Sequence, residues 1–130
     1  MPAYNFQKRF ADDVEFGKKT QTIRKVPKHG RHPKAGDRFV AYTGMRSKNC
    51  RKLLESTITI VSNIRIDYLA REIVPEDGHW LRGEAARLFA QMDGFGSAEE
   101  MIQWFQSMYG GDEFVGILIE WDLDKGVRGA

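Results

Sequence analysis

Residues 52–66 carry isoleucine at 58, 60, 64 and 66. Even spacing is the period of a strand with one face buried. The pattern slips across residues 61–63, which predicts a bulge or bend in a long strand. Such a bend is how a small sheet curls towards a barrel. A second run, FVGILIEW at 114–121, is apolar on both faces and predicts a central strand. Shorter strands are expected at 20–26, stopped by Pro27, and at 38–43. Helical spacing predicts a short helix over 9–17 ended by Gly17, with Phe10 and Val14 on one side. A second helix over 80–92 carries Leu81, Ala85, Leu88, Phe89 and Met92 on its apolar side. Ser97 and Glu100 form a capping box that opens a third helix running to Tyr109. Its stripe of Met101, Trp104, Phe105 and Met108 reads as core, and Gly110-Gly111 ends it. Residues 27–37 and 73–79 read as loops, and the tail from Lys125 as frayed. Five or so strands with short helices give an α+β domain built on a small curved sheet or partial β-barrel.

At 130 residues, 42% hydrophobic and 29% charged, the chain fits one compact domain over residues 1–124. No repeat or linker divides it. No apolar run approaches the roughly 20 residues needed to span a bilayer, and residues 1–10 lack a secretory leader. One cysteine, Cys50, allows no internal disulfide. The expectation is a cytoplasmic protein without membrane contact. His29, His32 and His79 lack metal-ligand spacing, and no glycine-rich phosphate loop follows a strand, so neither metal nor cofactor is expected.

Charge is uneven. Residues 24–52 hold ten basic side chains against the single acid Asp37, a net +9, in a chain whose total is +2. A cationic stretch on an otherwise acidic molecule suits either a polyanion-binding face or a solvated loop. Arg46, Lys48 and Arg51 are its candidates for phosphate contact.

The segment densest in reactive side chains is FQKRFADDVEFGKKTQTIR at 6–24. Its pattern F-Q-(K)-R-F-x-D-D-V-x-x-G-K-K-T-x-T-I-R, with Lys8 as a one-residue insertion, resembles the opening of the small bacterial ASCH-domain N4-acetylcytidine amidohydrolases. K-A-G-D at 34–37, D-G-F-G-S-A-E-E-M at 93–101 and G-I-L-I-E-W at 116–121 resemble the ASCH family more broadly. The resemblance implies a PUA-like fold and a modified nucleoside or RNA as partner. It also implies a catalytic set of Lys19, Thr22 and an acid. The acid position falls on Asp93, one methylene shorter than the glutamate of those enzymes, with Glu99 and Glu100 as alternatives.

These residue types suit amide cleavage, which needs a nucleophile, a base and a proton donor for the leaving amine. A lysine serves as base only when burial or neighbouring positive charge lowers its pKa. A carboxyl in an apolar pocket keeps its proton and can donate it. Residues 19 and 22 face opposite ways on a regular strand, so the backbone must turn after Gly17 for both to meet one substrate. Arg9 and Arg24 could grip a phosphate or base edge, or form surface ion pairs with Asp12, Asp13 or Glu15. Phe10, Tyr42 and Trp80 could stack on a base or belong to the core. Two functions follow as expectations: an amidohydrolase acting on an acylated nucleoside, or an RNA-binding module, with or without ribonuclease activity, using the basic stretch.

Overall fold

The computed structural model describes residues 1–129. In chain order the elements are β1 (Ala3–Phe6), α1 (Lys8–Glu15), β2 (Gln21–Arg24), β3 (Arg38–Thr43), β4 (Arg51–Asp67) and β5 (Glu72–Pro75). Then follow α2 (Gly83–Met92), α3 (Ala98–Tyr109), β6 (Glu113–Trp121), a single 3-10 turn (Leu123–Lys125) and β7 (Val127–Arg128). The chain is therefore α+β, with one mixed, open seven-stranded sheet.

The sheet runs β1-β3-β4-β6-β2, with β5 and β7 both paired to β4. Only β1 and β3 are parallel. The 17-residue β4 is its spine. The first half of β4 pairs with β3 and β7, and its second half with β6 and β5. Its register slips against β3 where Ala41 faces Leu54 but Tyr42 faces Lys52, and against β6 between Ile58 and Ile60. The bulge thus lies at residue 59, ahead of the expected 61–63. Ile58, Ile64 and Ile66 are buried as their spacing requires, whereas Ile60 is 50% exposed. Extra residues bend the strand that carries them.

The bent sheet brings its two end strands face to face. Arg24, on β2, donates from Nη2 to the Asn5 carbonyl of β1 at 2.9 Å. Its guanidinium lies 4.8 Å from the Phe6 ring centroid and 5.3 Å from that of Tyr4. A side chain, and no ladder, spans the gap between β1 and β2.

The strand β6 lies between β4 and β2, and its residues 116–119 are buried in succession. Gly116 permits the close pass of β2, since a Cβ there would stand 2.3 Å from the Arg24 carbonyl oxygen. The core runs from Phe39, Leu53 and Ile58 to Met101, Phe105 and Phe114.

Four expectations change. Residues 73–75, read as loop, extend β5 along β4. Residues 3–6 form β1, for which no strand was expected. The tail is not frayed from Lys125: β7 pairs with Leu54 and Glu55, and the Gly129 amide donates to Leu53. On α2 the packed face is Ala86, Phe89 and Ala90, while Ala85, Leu88 and Met92 are exposed.

Candidate active site

The glycine that ends α1 decides where Lys19 goes. Gly17 turns the chain at φ +86°, in the region that favours glycine. The Lys19 amide then donates to Asp13, and Thr20 is clamped from both sides, its amide on Met92 and its carbonyl under Trp121. Strand geometry begins only at Gln21, where β2 pairs Gln21 with Glu120 and Thr22 with Ile119. Lys19 therefore precedes the pleat, and both Lys19 and Thr22 line one cavity.

Asp93 arrives from the opposite side as the residue that caps α2, its amide donating to Phe89 and Ala90. Gly94 follows at φ +95°, and a Cβ there would meet Phe10 Cδ1 at 2.9 Å and Lys19 Cδ at 3.1 Å. The absence of a side chain at 94 is what lets Lys19 lie flat across the turn.

Lys19 is 3% exposed and Asp93 2%. Lys19 Nζ donates to the Asp93 carbonyl at 2.5 Å and stands 3.6 Å from Asp93 Oδ1. The ammonium also lies 5.0 Å from the Phe10 ring centroid and 5.7 Å from that of Phe6. Gln21 Nε2 donates to Asp93 Oδ1 at 3.4 Å. Thr22, 4% exposed, accepts from Arg24 Nε at 3.1 Å through its hydroxyl oxygen. Its own proton remains to be given.

Burial pushes the Lys19 amine below its ordinary pKa; the Asp93 carboxyl pulls it back up, and the positive charge of Arg24 adds to the lowering. Burial pushes the Asp93 carboxyl up, against the pull of Lys19, Gln21 and Arg24. Both groups are driven towards their neutral forms, because each is buried and a charge on it would lose most of its hydration. A buried neutral amine can accept a proton and a buried carboxylic acid can donate one.

The cavity holds about 220 Å³. Phe6, Phe10, Phe95 and Trp104 wall it, and the more exposed lining comes from Asn5, Gln7, Met108 and Tyr109. Lys25 Nζ sits 5.1 Å from the Tyr109 ring centroid at this rim.

Of the candidates, Lys19, Thr22, Asp93, Phe10 and Arg24 meet here. Arg9 does not: it pairs with Glu100 at 2.8 Å and lies over the Phe10 and Phe95 rings from outside the cavity lining. Glu99 pairs with Arg71, so neither glutamate competes with Asp93 for the acid position. Tyr42 lies on β3, away from the cavity lining, and Trp80 is exposed beside Arg82. Arg51 is held by Glu15 at 2.8 Å, and Arg46 and Lys48 are exposed in the turn before it. None of these three lines the cavity.

Sequence reasoning missed Asn5, Gln21, Phe95, Trp104 and Tyr109. Gln21 had a signal, since it is a polar residue inside a buried strand beside the reactive pair. Trp104, Phe105 and Met108 were assigned to core, yet they line the cavity as well. Among the described residues no three His, Cys, Asp or Glu side chains gather as a metal group. Among the described residues no helix is long and apolar enough to cross a membrane. Compared with models of protein families, with curated proteins and with solved structures, the chain finds no match in any of the three, so the site is read from its own residues.

Proposed function

We propose that this chain is an ASCH-type, PUA-like domain whose cavity hydrolyses the amide of an acylated nucleoside base, with N4-acetylcytidine as the substrate that the motif resemblance implies. One observation carries the reading: a buried amine and a buried carboxyl, each driven towards neutrality, share an aromatic-lined cavity with a hydroxyl held by an arginine. The bent β4 and the approach of β1 to β2 support the fold half of the proposal. The volume falls below the roughly 300–1,000 Å³ of sites for drug-sized ligands, which suits a single base with a short acyl group.

In the reaction, Thr22 Oγ1 bonds to the acyl carbon and its proton passes to Lys19 Nζ. The carbonyl oxygen becomes an oxyanion facing the Arg24 guanidinium, whose Nη1 has no hydrogen-bond acceptor among the described residues. As the carbon–nitrogen bond breaks, Asp93 protonates the leaving amino group of the base. Once the base has left, Lys19 hands the proton it holds to the Asp93 carboxylate 3.6 Å away, which restores both neutral forms. Water then attacks the acyl-threonine carbon and gives a proton to Lys19, which passes it to Thr22 Oγ1 as the ester bond breaks, and the free acid leaves. The test is ultraviolet-monitored hydrolysis of N4-acetylcytidine by wild type, Lys19→Met and Thr22→Val. General-base loss lowers kcat by about 10²–10⁴-fold. Turnover that survives both substitutions would sink the reading.

A second reading has its own observation. Among the described residues, Lys25, Lys28, Lys34, Arg46 and Lys48 have no acidic partner, which with Arg24 in the cavity makes six of the ten cations in residues 24–52. These free charges suit binding to RNA backbone. Affinity that ignores salt would remove that reading.

A further inference from the structure

A second concavity adjoins the cavity. Asn5, Phe6 and Gln7 form one of its walls, and the same three residues wall a second, open cleft of about 690 Å³. The far wall of that cleft is the turn between β3 and β4, and Lys8 and Arg51 complete it. The chemistry changes across the shared wall. The cavity is aromatic, whereas the cleft is lined by amides, hydroxyls and cations, with Phe6 its only ring.

Asn5 joins the two. Its carbonyl accepts from Arg24 on the cavity side, and its Oδ1 accepts from the Met45 amide in the turn at 3.0 Å. The turn is further braced by Ser47, whose Oγ donates to Gly44 and accepts from the Asn49 amide. The far wall is thus formed before any ligand arrives. Lys8 is exposed, as are Arg46 and Lys48 on the turn itself, and none of the three has an acidic partner among the described residues. The acid that lines the cleft, Asp12, is exposed and stands 3.9 Å from Arg51, which Glu15 holds more closely at 2.8 Å.

We propose that this cleft holds the sugar-phosphate attached to the base in the cavity, so that the substrate is a nucleotide and not a bare nucleoside. The proposal rests on the reading of the cavity as a base site. A cavity of about 220 Å³ filled by a base leaves ribose and phosphate outside it. Past Asn5–Gln7 they meet hydrogen-bonding groups and the unpaired cation Lys8, with Arg46 and Lys48 exposed on the turn that forms the far wall. The phosphate has two sources, a mononucleotide or a single-stranded RNA.

The experiment compares kcat/KM for N4-acetylcytidine, its 5′-monophosphate and an RNA pentanucleotide carrying N4-acetylcytidine at its centre, at low and high salt. Each is measured with wild type and with Lys8→Glu/Lys48→Glu, both exposed positions. Binding of the same pentanucleotide with unmodified cytidine is followed in parallel by fluorescence anisotropy. The expected result is about a tenfold gain for phosphate-bearing substrates at low salt, lost in the double variant. The salt slope of binding to the strand falls by about 0.7 per contact removed. A gain complete with the monophosphate assigns one phosphate to the cleft, and a further gain with the pentanucleotide assigns a strand. Nucleoside turned over without any gain from phosphate overturns the cleft proposal while leaving the deacylation reading intact. So does a gain that survives the double variant. If nothing is hydrolysed but binding of the strand is salt-dependent and weakened by the variant, the cleft stands and deacylation falls. Neither binding nor hydrolysis overturns both.

Discussion

The cavity around Lys19 and the basic stretch of residues 24–52 both concentrate charge, and they treat it in opposite ways. In the stretch beyond Arg24, most cations are exposed, and where they meet acids they do so at or near the surface: Arg31 with Asp37, Arg38 and Lys52 with Glu55, Arg51 with Glu15. Water and salt screen such pairs. In the cavity, one amine and one carboxyl are removed from water altogether, and burial outweighs their mutual attraction. The comparison teaches that density of charge along a chain marks a surface that can attract. Reactivity needs a charge whose burial makes the neutral form available.

The largest expected difference between the two regions is steric. Gly94 and Gly30 both sit at positive φ, +95° and +82°, but only Gly94 has neighbours where a Cβ would go. Gly94→Ala therefore adds a clash with Phe10 and Lys19 to the backbone strain. It should cost about 3 kcal/mol in urea unfolding, while Gly30→Ala costs about 1–2. Equal losses would show that the cavity wall yields as easily as a loop.

A second measurement sharpens the electrostatic half. With a raised pKa, folded Asp93 holds its proton after the unfolded chain has released it. Its contribution to stability is full below the ordinary value of 3.8 and declines as pH rises through the window above it. With a lowered pKa, Lys19 sheds its proton on folding, so its contribution grows as pH rises towards the ordinary 10.5. The difference in urea midpoint between wild type and Lys19→Met/Asp93→Asn should fall, then rise, across that range. A conventional ion pair would give the reverse, rising through the acid limb and falling above 10.5.

The smallest effect belongs to the surface. Arg31 is 68% exposed in its pair with Asp37, and Arg31→Ala should change unfolding stability by about 0.5 kcal/mol or less. A loss comparable to that of Gly94→Ala would erase the contrast drawn above.

Parts of this architecture are legible in the chain because they have a local cause. The capping box is visible, and Ser97 Oγ accepts from the Glu100 amide as expected, although the Glu100 carboxylate reaches the Gly96 amide. The run at 114–121 reads as a covered strand because four successive residues are buried. What stays hidden depends on partners. β1 and β5 are four residues each, too short to show a period, and exist because β3 and β4 offer them open edges. The apolar side of α2 misleads because Ala86 and Ala90 allow close packing that the larger Leu88 and Met92 do not. For the site, residue types in 6–24 pointed to Lys19 and Thr22, and position pointed to Asp93. That all three line one cavity could not be read from the chain, since it depends on the turn at Gly17 and on the glycine at 94.

The placement of β2 has a consequence for how the molecule comes into being. Among the described residues its one ladder is with β6, most of the chain away: Thr22 is held in line by Ile119. Closing so long a loop must wait for other contacts to shorten it, because its entropy is lost before its hydrogen bonds form. During synthesis the Lys19 segment emerges before β6 and stays without its strand partner until β6 has left the ribosome. The pocket around Lys19 is thus a late product of folding, and a partly made chain carries an ordinary, water-solvated lysine at that position.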